Sequence, residues 1–129
     1  MSEHYEKYPN SIITKIFGVF TVKTDATNSV HLMLMENTLQ LKNPEGLKYI
    51  FDLKGSLVDR KTKGKITSST TLKDVNFLLA SSTNPSNFIN LDDSIKEKLL
   101  QIIRKDVDFL SGQGFMDYSL LLGIEDLSE

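Results

Sequence analysis

The stretch Lys48-Tyr49-Ile50-Phe51-Asp52-Leu53-Lys54-Gly55-Ser56 decides how the rest of the chain is read. An apolar run of strand-forming residues ends in a glycine break, with a carboxylate, an ammonium and a hydroxyl packed around that break. A purely structural strand has little reason to place Asp52 and Lys54 two residues apart at its mouth. A site that handles phosphate and metal does.

Working outward, residues 47–53 read as the strand that delivers this motif, and Asn43-Pro44-Glu45-Gly46 ahead of it is a strong turn signal. Further upstream, residues 17–22 and 30–35 read as two strands joined by a polar turn over 23–29, a hairpin. Both faces of its second strand are largely apolar, so that strand is expected to be covered on both sides. Leu39 and Leu41 are expected to extend an alternating strand. At the start, residues 1–9 read as a mobile or cut end, with Asn10 capping a short helical turn over 11–15.

On the other side, Lys54, Arg60, Lys61, Lys63 and Lys65 face one acid, Asp59, a local charge of +4 in a chain whose net charge is -2. Residues 60–71 are polar, basic and aperiodic, hence an exposed loop: either a solvated one or an anion-binding rim for phosphate or an anionic lipid surface. Residues 71–79 read as a short buried segment of open type, and 81–87 read as loop. Ser94-Ile95-Lys96-Glu97 then reads as a capping box, with Asp92 and Asp93 suiting the positive end of a helix dipole. The apolar spacing of Ile95, Leu99, Leu100, Ile102, Ile103, Val107, Phe109 and Leu110 predicts a long amphipathic helix over about 92–112, stopped at Gly112 or Gly114. Residues 115–124 form a last apolar segment carrying Asp117, before an acidic end at Glu125, Asp126 and Glu129. A carboxylate in an apolar strand is costly to bury unless it is paired, bound to metal or facing a cleft.

Composition narrows the classes. With 129 residues, 40% hydrophobic and 25% charged, the chain reads as one soluble, intracellular domain, without repeats or an interdomain linker. With a net charge of -2, no global field draws it to nucleic acid or to an anionic membrane, and any such attraction has to be local. The absence of cysteine excludes disulfide scaffolds and thiolate metal sites. His4 and His31, the only histidines, have no metal-ligand spacing around them and read as a surface residue and a strand residue, so no metal site is expected there. The apolar runs fall short of the ~20 residues a spanning helix needs. Two acid-bearing apolar segments, at Asp52 and Asp117, with a basic loop between them, suggest a phosphoryl-transfer cleft, in which carboxylates hold Mg2+ or accept a hydroxyl proton and cations stabilise the transferring phosphate.

Phe51-Asp52-Leu53-Lys54-Gly55-Ser56 with Arg60, then Leu72-Lys73-Asp74-Val75-Asn76-Phe77, then Met116-Asp117-Tyr118-Ser119-Leu120-Leu121-Leu122-Gly123-Ile124, closely resemble the phosphatidylinositol phosphate kinase family, in that order. The chain is similar in particular to its phosphatidylinositol-4-phosphate 5-kinase-like members. Asn10-Ser11, the run Lys15-Ile16-Phe17-Gly18-Val19-Phe20-Thr21-Val22-Lys23 and Asp106-Val107-Asp108-Phe109-Leu110 match as well, so the resemblance covers about residues 8–126.

The resemblance implies an α+β fold: part of a two-lobed lipid kinase, with an antiparallel sheet and at least one long amphipathic helix. Residues 10–36 would form the sheet-lobe hairpin, and 37–129 the hinge, the Asp52–Ser56 segment, the helix and the catalytic segment. ATP and Mg2+ are the implied cofactors, and a phosphoinositide lipid at a peripheral membrane surface the implied partner. Asp117 would be the catalytic aspartate and Lys54 would sit in the phosphate cleft. Met35, Glu36, Asn37 and Thr38 would bind the nucleotide. Arg60 and Lys61 would meet the inositol phosphate headgroup, with Asp52 and Asp74 in support. The family's phosphate loop and its strand lysine would lie before Met1, Lys23 being a poor substitute for that lysine, and its metal-binding aspartate beyond Asp126. The expectation is therefore the central part of a kinase domain, cytoplasmic and transiently at the membrane, with no measurable lipid kinase activity by itself. The competing expectation is a non-catalytic phosphoinositide-binding or scaffolding module using the basic loop.

Overall fold

The computed structural model describes residues 1–126 except 84, 86 and 87, and the side chain of Thr27. In chain order its elements are α1 (Ser2–Lys7), β1 (Ile16–Thr24), β2 (Thr27–Met35), a 3-10 turn (Pro44–Gly46), β3 (Leu47–Leu53), β4 (Thr71–Leu72), α2 (Asp74–Thr83), α3 (Asp93–Gly112) and β5 (Leu120–Glu125). The α+β class and the long helix are as expected. Part of the expected 81–87 loop is the end of α2; its remainder at 84, 86 and 87, like Glu129, lies outside the described residues.

The strands form two sheets, the antiparallel pair β1-β2 and a three-stranded sheet in the order β4-β3-β5. In the second, β3 runs parallel to β4 and antiparallel to β5, with Phe51 opposite Leu122 and Leu53 opposite Leu120. That register brings the chain after Leu53 beside the chain before Leu120, where the candidate site forms. Phe51 is fully buried, and its ring meets Phe77 of α2 edge-on at 5.2 Å. Phe88 joins Phe77 at 5.4 Å, and Tyr49 flanks Phe51 at 5.6 Å. Aromatic rings pack favourably at such distances and angles, so this cluster fixes α2 against β3.

The β1-β2 hairpin forms in the expected place, Val19 opposite Met33. The covering on both faces is not found: Phe17 and Val19 are 65% and 66% exposed, and Met33 and Leu34 53% and 55%. The apolar pattern records what these strands could bury, and nothing among the described residues packs onto them. The strand expected at Leu39 and Leu41 is also absent. A Cβ on Gly123 would lie 2.9 Å from Leu39 and 3.7 Å from Leu41, so these leucines lie against the glycine of β5 instead of pairing. The Lys42 and Asn43 N–H groups donate to the Glu125 carboxylate at 3.3 and 2.8 Å. Gly46 closes this clamp: its carbonyl accepts from Asp126 N–H at 2.8 Å. A Cβ there would collide with the Asp126 carbonyl and the Asn43 amide. Gly46→Ala is accordingly expected to lower stability by about 1–3 kcal/mol, read as a fall in the urea midpoint; an unchanged midpoint would refute the close approach.

The N-terminal residues form a short helix, α1, and residues 11–15, expected to make a helical turn, are not helical. His4, expected at the surface, is buried: its Nε2 lies 2.8 Å from Asp106 Oδ1, and its ring stacks on Phe109 at 4.1 Å. The other Asp106 oxygen accepts the Ile12 N–H at 2.8 Å. One buried carboxylate on α3 thus ties down both α1 and the segment that follows it.

The helix expected over 92–112 runs from Asp93 to Gly112, and Gly114 just beyond it takes φ +71. Its start differs in detail. Ser94 lies inside the first turn rather than at the cap, because Ile95 and Lys96 already donate to the Asp92 carbonyl, at 3.0 and 2.9 Å. The Ser94–Glu97 capping box therefore does not form. No helix among the described residues is long and apolar enough to cross a membrane.

Candidate active site

The site begins where β3 ends. Gly55 takes φ +72, a conformation that glycine adopts at no steric cost, and the chain turns away from the sheet. The N–H groups of Lys54 and Gly55 both donate to Asp74 Oδ1, at 3.0 and 2.8 Å. Asp74 is the first residue of α2, where the helix dipole favours a negative charge. Its second oxygen accepts from Arg60 Nε at 2.8 Å. Arg60 Nη2 also donates to the Asp52 carbonyl and stands 3.6 Å from Asp52 Oδ1. That buried Asp52 oxygen has no hydrogen-bond partner among the described residues.

A second brace lies two residues along. Asn76 Oδ1 accepts the N–H of Thr62 at 2.8 Å and of Lys73 at 3.3 Å, while its Nδ2 donates to the Thr62 carbonyl at 3.2 Å. The Val75 N–H donates to the Arg60 carbonyl at 3.0 Å. Residues 54–62 therefore have no regular structure but are stapled at both ends to the start of α2. Asn76 belongs to the Leu72–Phe77 motif but carries no expected site role, and its brace on Thr62, 14 residues away, has no local signal.

Lys54 Nζ donates to Asp117 Oδ1, closing an ion pair across 63 residues of sequence. Asp117 does not lie in the strand, as expected from its apolar neighbours, but in the turn before β5. Its φ of +63 is the left-handed region, which no strand residue adopts. The side chain is 85% exposed, against 28% for Lys54. The hydrogen bond from Lys54, its charge, and the more distant charge of Arg60 together hold the Asp117 carboxyl below its ordinary value. Burial pushes the Asp74 carboxyl upward. The Arg60 guanidinium and the N–H groups of Gly55, Asp74 itself and Lys54 outweigh that, so it too sits below its ordinary value.

Of the anticipated residues, Asp52, Lys54, Arg60, Asp74 and Asp117 thus form one connected network. Lys61 lies beside it, lining with Arg60, Leu57, Lys63 and Lys73 an open groove of about 670 Å3. Met35, Glu36, Asn37 and Thr38 are not drawn in. Met35 ends β2, the Glu36 N–H donates to the Lys15 carbonyl at 2.8 Å, and Asn37 Oδ1 accepts from the Leu39 N–H at 3.3 Å. No group of three acidic, histidine or cysteine side chains able to hold a metal ion occurs among the described residues. Asp117 Oδ1 is taken by Lys54 and Asp52 faces Arg60, so these residues do not by themselves fit a magnesium ion, and no step below is routed through one.

The arrangement offers an ionised, accessible carboxylate beside an ammonium, held in place by the mostly buried Asp74 carboxylate. The family profile described as Phosphatidylinositol-4-phosphate 5-Kinase matches residues 2–129. Phosphatidylinositol 5-phosphate 4-kinase type-2 gamma of Xenopus tropicalis is 37% identical over 120 residues, 92% of this chain and 27% of that protein. The human protein of that name is 36% identical over the same span. Phosphatidylinositol 4-phosphate 5-kinase 1 of Oryza sativa subsp. japonica is 36% identical over 122 residues, 94% of this chain and 14% of the rice protein. The chain spans about a quarter of the frog and human relatives. A match over nearly its whole length, carrying the network just described, means that the chain belongs to the phosphatidylinositol phosphate kinase family.

Proposed function

We propose that this chain supplies the hydroxyl-binding side of a site that transfers the γ-phosphoryl group of ATP to an inositol hydroxyl of a phosphatidylinositol phosphate. The observation that carries this reading is the Lys54–Asp117 pair, accessible at its outer end and braced by Asp74 at its inner one. Family membership supports the lipid substrate class.

In the proposed step the substrate O–H donates to Asp117, its oxygen bonds to the γ-phosphorus, the β–γ bridging bond breaks, and ADP leaves with the electron pair. A carboxyl held below its ordinary value is a weak base, so Asp117 chiefly orients the hydroxyl and takes its proton late. That suits a loose transition state, in which the acceptor oxygen gains little bond order before the leaving group departs. Lys54 keeps Asp117 ionised and offers its ammonium to the charge on the transferring group. Lys61, with Lys63 and Lys73 around the groove, would take the headgroup phosphate. Arg60, with Nε and Nη2 engaged, contributes mainly by holding the loop, leaving its other donors for the headgroup. Met35, Glu36, Asn37 and Thr38 would meet the adenine, and Mg2+ would need ligands other than the described ones. Work on a lipid at the inner membrane surface implies a cytoplasmic protein that visits that surface.

The sequence contains no glycine-rich phosphate loop, so the 129-residue chain is expected to show no measurable transfer from labelled ATP. A chimera of the frog relative, with residues 8–126 replacing its matching segment, is expected to phosphorylate phosphatidylinositol phosphate. Transfer by the isolated chain, lost on Asp117→Asn, would overturn the first expectation. A well-folded but inactive chimera would count against the second and favour a non-catalytic phosphoinositide-binding module, which the basic groove would equally serve.

A further inference from the structure

The loop between Gly55 and β4 carries a feature that the proposed chemistry leaves unused. Leu57 and Val58 are adjacent, apolar, and 61% and 79% exposed. They stand at a turn whose next residue, Asp59, takes φ +55, and the Val58 N–H donates to Ser56 Oγ at 3.3 Å. The loop's first part, residues 54–62, is held at both ends, by Asp74 and by Asn76. A rigid loop therefore holds two apolar side chains out in water, where each loses the stabilisation that burial would give. Ile66 is half-exposed farther along the loop, and Met116, beside Asp117, is almost wholly exposed. Arg60, Lys61, Lys63 and Lys65 follow the apolar tip in sequence, and Leu57 lines the same groove as Lys61, Lys63 and Lys73.

We propose that Leu57 and Val58 are a membrane anchor: they insert into the headgroup–acyl boundary of an anionic bilayer while the lysines behind them bind its phosphates. Charge complementarity selects this occupant. An apolar tip alone would suit many partners, but an apolar tip backed by cations, in a chain of net charge -2, matches a surface that is oily within and negative outside. The inference deepens the proposed function and rests on it in one respect: docking by this loop would bring the bilayer up to the Lys54–Asp117 pair, whose loop partner leads directly into the tip.

The chain contains no tryptophan, so Val58→Trp gives a single reporter. With vesicles of phosphatidylcholine and phosphatidylserine its emission is expected to shift to the blue and to be quenched by lipids brominated along the acyl chain. Lys98→Trp, on an exposed position of α3, is expected to show neither. In co-sedimentation, Leu57→Ser with Val58→Ser should weaken binding about ten-fold, with a loss that persists at high salt. Lys61→Ala, Lys63→Ala and Lys65→Ala should each weaken it about five-fold at low salt only. These side chains are exposed, so unchanged circular dichroism is expected and would separate lost docking from lost folding.

An unshifted Val58→Trp emission on vesicles that the chain does bind would overturn the anchor. So would equal retention on RNA and on vesicles, abolished by salt and indifferent to the serine substitutions, which would mark a general polyanion patch. Failure of the anchor is distinguishable from failure of the kinase reading. In the first case detergent-dispersed phosphatidylinositol phosphate is still phosphorylated by the chimera, and in the second vesicle insertion persists without transfer.

Discussion

Asp117→Asn in the frog chimera is expected to lower the rate of phosphoryl transfer about 10^3-fold with little change in the KM for lipid. The amide keeps the shape and can still accept one hydrogen bond, but it cannot take the hydroxyl proton, and it replaces the ion pair with Lys54 by a neutral contact. An isosteric change that removes only charge and basicity should act on the step and not on binding. A variant within about three-fold of the parent rate would sink the assignment. Lys54→Met makes the companion test. It is expected to cost about 10^2- to 10^3-fold, and it also carries a pH signature. The Lys54 hydrogen bond and charge are the two main causes holding the Asp117 carboxyl low. Without them the carboxyl rises toward its ordinary value, so the acid limb of the residual pH–rate profile should move to higher pH. A limb that stays in place would mean that the group titrating there is not Asp117.

What could be read from the sequence and what could not divides by the range of the interaction. The hairpin, β3 and α3 were legible because each is encoded by a local period: strand-forming runs bounded by turns, or a 3.6-residue apolar repeat. β3 and its glycine break were placed to the residue. The failures share a cause. Burial of His4 depends on Asp106, 102 residues away, and no window around His4 contains that information. Leu39 and Leu41 alternate like a strand but lie on Gly123, a space visible only once β5 is in place. Ser94 and Glu97 have capping-box spacing, yet the cap is Asp92, two residues before Ser94, and the helix starts at Asp93. The site divides in the same way. Lys54 and Asp117 were recognisable individually, through motifs whose order resembles a known family. That Asp74 braces Lys54 from behind, and that Asn76 repeats the brace for Thr62, emerges only when α2 docks on β3. The turn conformation of Asp117 was hidden by the apolar residues around it, which invite reading the whole segment as strand.

That brace sets the largest expected stability effect. Asp74→Asn places an amide where a carboxylate accepts from two backbone N–H groups and a guanidinium. If the amide oxygen stays on Lys54 and Gly55, its NH2 group confronts Arg60 Nε, donor against donor; if it flips, the two backbone groups lose their acceptor. Either way a mostly buried guanidinium or a pair of N–H groups is left unmatched, a loss of about 3 kcal/mol at neutral pH. The pH dependence follows from the direction of the shift. The Asp74 carboxyl is held below its ordinary 3.8 in the folded chain, so its contribution is fully present above the unfolded value and is lost as pH falls through the folded one. The parent should therefore lose its advantage over Asp74→Asn progressively below about pH 3.8, and urea midpoints measured from pH 7 downward should converge there. Curves that stay parallel to the acid end would mean that the carboxylate's charge is not what stabilises the loop. The same variant should weaken the kinase site from behind. Where the amide flips and releases the Lys54 and Gly55 N–H groups, the lysine loses its aim at Asp117, and the chimera's rate should fall even where the protein remains folded. Asp74 would then be a positioning residue, acting through Lys54 without touching substrate. A fall in rate accompanied by the same acid-limb displacement as in Lys54→Met would identify that route, because only a loosened Lys54–Asp117 pair produces it.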